Sequence, residues 1–150
     1  ALGELKNDKD LTFRMSIIGP DIDPNGIGLF NWFMSQKGTL QGWSKAIWNG
    51  ISTVELARGI DEAIRQNLSG LCQLVPNETI SKFELLKLFR KIFKRDDIVI
   101  EKVDGLYVNK TLLCTRTDFD FKVKSYTEQI EDMKEWIYAH PSLYPHYFDK

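Results

Sequence analysis

Residues 70–103, GLCQLVPNETISKFELLKLFRKIFKRDDIVIEKV, decide the fold class. The stretch opens on a short apolar run, residues 70–75, closed by Pro76-Asn77, and an apolar run stopped by breakers reads as a buried strand. Ser81, followed three residues later by Glu84, has the capping-box pattern: the Ser oxygen accepts from an orphan N–H while the Glu returns to the N–H of the cap. Behind it Leu85, Leu86, Phe89, Ile92 and Phe93 fall at spacings of three and four, which predicts a helix with one apolar face. Residues 98–103 (IVIEKV) are then β-branched and stop at Asp104-Gly105, a second strand ended by a turn. Strand, helix and strand in so short a space predict an α/β domain.

The same signals extend outward on both sides. Ser52…Glu55 and Ser125…Glu128 repeat the capping box, the first before Val54, Ala57, Ile60 and Ile64, the second before Ile130, Met133, Trp136 and Ile137. Toward the amino terminus, residues 11–18 (LTFRMSII) predict one buried strand ending at Gly19-Pro20. A loop dense in Asp, Pro, Asn and Gly follows over 21–28, then a short helix over 29–34. Residues 1–10 are polar and read as a flank, leaving 11–150 as a single domain.

Composition narrows the function classes. The chain has 150 residues, 43% of them hydrophobic, enough for one ordinary core. Its formal net charge of -1 gives no basic stripe for nucleic acid, so no nucleic-acid partner is expected. No apolar run approaches the roughly 20 residues of a membrane span, and no basic-then-apolar leader opens the chain. No membrane partner is expected either, and a cytoplasmic location is. Cys72 and Cys114 lack metal-ligand spacing and sit among leucines, which predicts reduced core thiols and no metal.

Complete catalytic apparatus is missing. There is no phosphate loop, no H-E-x-x-H and no G-x-S-x-G elbow. Gly26-Ile27-Gly28 follows a Pro-Asn loop instead of a strand and lacks the third glycine of a dinucleotide fingerprint. His140 and His146 stand in an aromatic, Pro-containing tail that reads as packing or partner contact.

Several segments nonetheless resemble one family in order and spacing. Arg14-Met15-Ser16-Ile17-Ile18-Gly19-Pro20 is similar to the late strand of extended short-chain dehydrogenases/reductases, which reads R-x-S-x-x-G-P. Residues 45–57 resemble that family's strand-into-helix segment, and residues 70–75 followed by Ile80-Ser81-Lys82-Phe83-Glu84-Leu85 resemble its next strand–turn–helix unit. Thr111 to Arg116 and Ser125 to Ile130 are similar to the ending of the dTDP-4-dehydrorhamnose reductases and related sugar-nucleotide enzymes. The resemblance covers about residues 11–138. It implies the carboxy-terminal part of a Rossmann-type protein with its substrate-binding lobe, a nucleotide-sugar substrate, NAD or NADP in the full-length parent, and a role in cell-surface polysaccharide precursors. Reductase is the first expectation, with epimerase or dehydratase as alternatives and a non-catalytic binding or interaction module as another. The family's Tyr-x-x-x-Lys pair is not here: Tyr107 precedes Lys110, and Tyr147 precedes Lys150, by one residue too few. Without a tyrosine to act as general acid the chain alone is expected to be inactive.

The resemblance also implies roles for particular residues. Pro20 would border the cofactor, and Asn31 would donate to the substrate diphosphate. Trp43, Lys45, Trp48 and Asn49 form a cluster in which indoles could stack on a base or sugar while the lysine neutralises phosphate; Trp48 as core is the competing reading. Arg116 would clamp a phosphate, or else pair with Asp118 or Asp120. An open edge on the strand over 11–18 would promote a homodimer.

Overall fold

The computed structural model describes residues 4, 5 and 7–148; residues 1–3 and 6 of the flank, and the last two residues of the chain, lie outside the described residues. In its first half the strands are β1 (Leu11–Arg14), β2 (Ile17–Ile18), β3 (Gly38–Trp43), β4 (Ala46–Trp48) and β5 (Ile51–Ser52), with helices α1 (Leu29–Ser35) and α2 (Thr53–Arg65). The second half holds β6 (Gly70–Gln73), β7 (Ile80–Ser81), α3 (Lys82–Ile92), β8 (Ile98–Val103), β9 (Val108–Asn109) and α4 (Tyr126–Ala139). A 3-10 turn follows at Pro145–Tyr147.

Parallel pairing dominates, as the alternation of strands and helices requires. β1 pairs with β6, β2 with β5 and β3 with β8, all parallel. β4 lies between β7, antiparallel, and β9, parallel. The fold is α/β. The strand expected over 11–18 is two strands, because the pairing partner changes partway. β1 follows β6 as far as Arg14, then Ser16 accepts from the Ile51 N–H at 2.9 Å and β2 continues against β5.

α3 sits at the centre of the core. Leu85, Leu86, Phe89, Ile92 and Phe93 are all buried, as their spacing predicts, against Phe30 and Phe33 of α1, Ile98 of β8, and Ile130, Met133 and Ile137 of α4. Phe30 and Phe89 meet edge to face with ring centroids 5.3 Å apart, the arrangement aromatic quadrupoles favour. Trp136 of α4, expected on the apolar face, is exposed.

α2 departs from its pattern. The stripe of Ala57, Ile60 and Ile64 faces outward, with Ile60 43% and Ile64 70% exposed, and the buried face is Glu55, Gly59 and Ala63. Small residues there let the helix approach the segment after β6 closely: a side chain at Gly59 would come within 2.7 Å of Leu74.

Two of the three expected capping boxes are complete. Ser81 and Ser125 each accept from the N–H of the Glu three residues on, and Glu84 and Glu128 each return a carboxylate to the cap N–H. The backbone N–H of Ser81 is the chief cause that holds Glu84 below the usual carboxylate range, and the Ser125 hydroxyl does so for Glu128. A lowered folded-state pKa means full stabilisation above the ordinary glutamate pKa, lost as pH falls through the lower folded value. Melting temperature is therefore expected to fall as pH drops from neutral to about 3. The double variant Glu84→Gln/Glu128→Gln should lose part of that slope in thermal melts followed by circular dichroism. An unchanged pH profile in the double variant would contradict the assignment.

Candidate functional site

One cavity, of about 350 Å³, brings together aromatic and cationic side chains from four separate segments. Its apolar lining comes from Ile17 and Ile18 of β2, Ile47 of β4 and Leu85 of α3. Trp43 at the end of β3 and Trp48 at the end of β4 line it as well, together with Lys82 and Lys110. An apolar slot with a few convergent polar groups is the usual form of a small-molecule site.

The local reasons for this grouping are visible. β3 and β4 are separated by the Ser44-Lys45 turn, which carries Trp43 and Trp48 to the same cavity. Gly105, with φ at 56°, follows β8 and packs on Trp43; a side chain there would come within 2.9 Å of the indole. Lys82, the first residue of α3, holds its ammonium 5.1 Å from the Trp32 ring and 5.5 Å from the Trp43 ring, both within cation–π range. The Trp48 ring lies 5.9 Å from that of Tyr126, which is buried. The Trp48 indole also lies against Gly50, where a side chain would come within 2.1 Å of the ring.

Of the residues singled out from sequence, Trp43 and Trp48 share this cavity and the other five do not line it. Lys45, exposed on the turn, pairs with Asp104 at 2.7 Å. Asn49 is buried; its amide donates to the Leu112 carbonyl at 2.7 Å and its carbonyl accepts from the Leu112 N–H at 2.9 Å. Asn31 is also buried. Its amide donates to the carbonyls of Asp23, Pro24 and Gly26, and its oxygen accepts from the Tyr147 hydroxyl at 2.9 Å. Asn31 thus organises the loop before α1 and ties it to the tail. Arg116 makes a two-pronged pair with Asp118 and also donates to the carbonyl of Ser69. Pro20 is half-buried beside Asp21, whose N–H donates to the Tyr147 hydroxyl at 2.9 Å. Burial pushes that phenol up to about 12, the state of a structural hydrogen-bonding group.

Lys82 is the cavity residue that sequence reading passed over, and Lys110 entered there only as the misplaced partner of Tyr107. Lys82 sits inside the Ser81…Glu84 box, where a charged residue reads as a helix surface, and only the tertiary approach of Trp32 and Trp43 gives it a site. The Ser81 hydroxyl, which also lines the cavity, is engaged with Glu84 at 2.9 Å. The cavity offers stacking surface and positive charge, a combination suited to a ring bearing an anion. A larger cleft of about 970 Å³ runs between α3, β8 and the start of α4, lined by charges of both signs such as Glu78, Glu84, Lys87 and Lys91. It lacks the convergence of indole and ammonium groups.

Scans against protein-family models and curated protein sequences return no match. Solved structures do match. The dTDP-4-dehydrorhamnose reductase of Bacillus anthracis in complex with NADP superposes with a TM-score of 0.68 at 14% identity, over 85% of this chain and 48% of that one. The dTDP-glucose 4,6-dehydratase of the same organism, in complex with NAD, gives 0.63 at 14% identity over 91% and 47%. The chain shares the α/β fold of about half of each of these enzymes. The UDP-N-acetylglucosamine 4-epimerase of Methanobrevibacter ruminantium, in complex with UDP-N-acetylmuramic acid, gives 0.61 at 16% identity over 87% and 46%. The chain spans about half the length of the solved structures it matches.

Two of these structures hold a pyridine nucleotide, a cofactor whose diphosphate needs a glycine-rich turn between a strand and a helix, and the described residues would have to supply that cradle. They do not fit it. Gly26-Ile27-Gly28 lies in the loop after β2, well beyond the strand end at Ile18, and leads into a helix of seven residues. Among the described residues no other glycine-rich turn joins a strand to a helix.

Proposed function

We propose that this chain is the substrate-binding, carboxy-terminal portion of an NAD(P)-dependent sugar-nucleotide reductase, of the kind resembling dTDP-4-dehydrorhamnose reductase that supplies cell-surface polysaccharide precursors. The cavity between Trp43, Trp48, Lys82 and Lys110 carries the reading: indoles for a base or sugar ring, ammonium groups for a diphosphate. Trp43, Lys45, Trp48, Asn49, Asn31 and Arg116 divide into two groups on this view. The tryptophans touch the ligand, and the others hold the loops that shape its surroundings. On this reading NAD or NADP, bordered by Pro20, and the tyrosine and lysine of the chemistry belong to another part of the parent protein. The exposed stripe Ala57, Ile60 and Ile64 on α2, and the single partner of β1 among the described residues, favour a further layer of protein against this face.

An epimerase or a dehydratase is the second reading, favoured by superpositions of nearly the same quality. Both readings share one test. Titration of the chain with dTDP- and UDP-sugars should quench tryptophan fluorescence saturably, and NADPH should not bind saturably. Trp43→Ala and Lys82→Ala should each weaken the sugar-nucleotide Kd by about tenfold, or about 1.4 kcal/mol. A flat trace with every sugar nucleotide, from protein whose circular dichroism shows it folded, would remove the cavity as a substrate site.

A further inference from the structure

The carboxyl side of β6 carries a feature that the sugar-nucleotide reading does not use. Cys72, fully buried in β6, and Cys114, half-buried in the extended segment after β9, are both free thiols. Their side chains line one cavity and lie close enough to act on each other electrostatically. The segment bearing Cys114 is pinned on both sides of it. Leu112 is gripped through both its backbone N–H and carbonyl by Asn49, and Arg116 donates to the carbonyls of Ser69 and Leu71 on the border of β6.

Both Arg116 and Cys114 reach β6. Arg116 lies against Gly70, where a side chain would come within 3.6 Å of the guanidinium, and Cys114 meets Cys72 two residues further along β6. A cavity of about 440 Å³, lined by both cysteines with Arg116, Phe119 and Phe121, reaches the pair from outside.

We propose that Cys72 and Cys114 form a redox-active dithiol, oxidised by a hydroperoxide to an intramolecular disulfide. The Cys114 sulfur, the more exposed of the two, attacks the peroxide; its S–O bond forms as the O–O bond breaks, leaving Cys114 sulfenic acid and one water or alcohol. The Cys72 sulfur then attacks the sulfenic sulfur, the S–S bond forms, and the sulfenic hydroxyl leaves with the Cys72 proton as water. Two thiols lose two electrons to one peroxide. Burial pushes the Cys72 thiol up to about 11, which assigns it the resolving role and leaves first attack to Cys114. Proximity makes the second step effectively unimolecular.

The inference is independent of the sugar-nucleotide site and has its own test. The chain, reduced and freed of reductant, is exposed to graded hydrogen peroxide, then denatured, alkylated with a maleimide and mapped by peptide mass spectrometry. The expected result is a fall from two alkylatable thiols to none, a linked peptide joining Cys72 to Cys114, and full recovery of both thiols on reduction. Cys72→Ala should instead leave Cys114 over-oxidised or in intermolecular dimers, and its fold can be verified by circular dichroism. Two outcomes with the unaltered chain would overturn the proposal: both thiols staying alkylatable under peroxide that oxidises glutathione, or Cys114 reaching the sulfinic acid while Cys72 remains free.

Discussion

Replacing Arg95 with methionine is expected to destabilise the chain by about 2–4 kcal/mol, read from urea unfolding. Arg95 is buried behind the carboxyl end of α1 and its guanidinium is fully engaged. One nitrogen donates to the Met34 carbonyl at 2.8 Å, another to the Gln36 carbonyl at 2.5 Å, and two reach the Asp97 carboxylate at 2.7 Å each. The same group lies 5.9 Å from the Phe33 ring. A helix of seven residues has few internal hydrogen bonds, and its last carbonyls depend on outside donors. Arg95 supplies two of them, and in doing so fastens α1 to the start of β8. Methionine keeps much of the volume and removes the donors, so the loss isolates hydrogen bonding from packing. Arg95→Lys should fall between, since one ammonium cannot span two carbonyls and a carboxylate in that fork geometry. A methionine variant within about 0.5 kcal/mol of the parent would show that water replaces the guanidinium at no cost.

Arg95 also marks where the sequence stops being readable. Lys94-Arg95-Asp96-Asp97 has the composition of a solvated turn, and Asp96 is exposed, but Arg95 points inward to the Met34 carbonyl, 61 residues earlier in the chain. Local devices were legible: Ser81 and Ser125 announce α3 and α4, and the spacing of Leu85, Leu86, Phe89, Ile92 and Phe93 gives the buried face. β3 was not, because Gly-Thr-Leu-Gln-Gly-Trp becomes a strand only by pairing with β8 far along the chain. The cavity was half legible. Trp43 and Trp48 are close in sequence and share the site, whereas Lys45 between them sits on the turn and finds Asp104 first. Lys82 and Lys110 reach the site from other segments, which spacing cannot announce. α2 was misread because hydrophobicity alone chose the face. The face that packs on the chain is the one with Gly59 and Ala63, where close approach matters more than apolar area.

Gln129→Leu should cost about 2–5 kcal/mol, and the reason lies in the capping box that did not close. Ser52 accepts from the Glu55 N–H as the pattern predicts, but Glu55 does not return to the Ser52 N–H. That N–H donates instead to the side-chain oxygen of Gln129 on α4, at 2.8 Å, and the Gln129 amide donates to the Lys124 carbonyl at 2.7 Å. Glu55, released from the cap, accepts from the Lys124 N–H at 2.8 Å and from Arg58 at 2.7 Å. Two buried polar side chains, each about 1% exposed, therefore join β5, α2 and the start of α4 through one residue, Lys124. Leucine at 129 would strand a buried N–H and a carbonyl together, each costing its full desolvation without a partner. Glu55→Gln keeps the shape and tests the other arm: its oxygen can still accept from Lys124, so the loss should be smaller than for Gln129→Leu. Because both arms fix Lys124, the double variant should be less destabilised than the two single losses combined. Strict additivity in urea unfolding would mean that the two side chains act separately, and that Lys124 does not couple them.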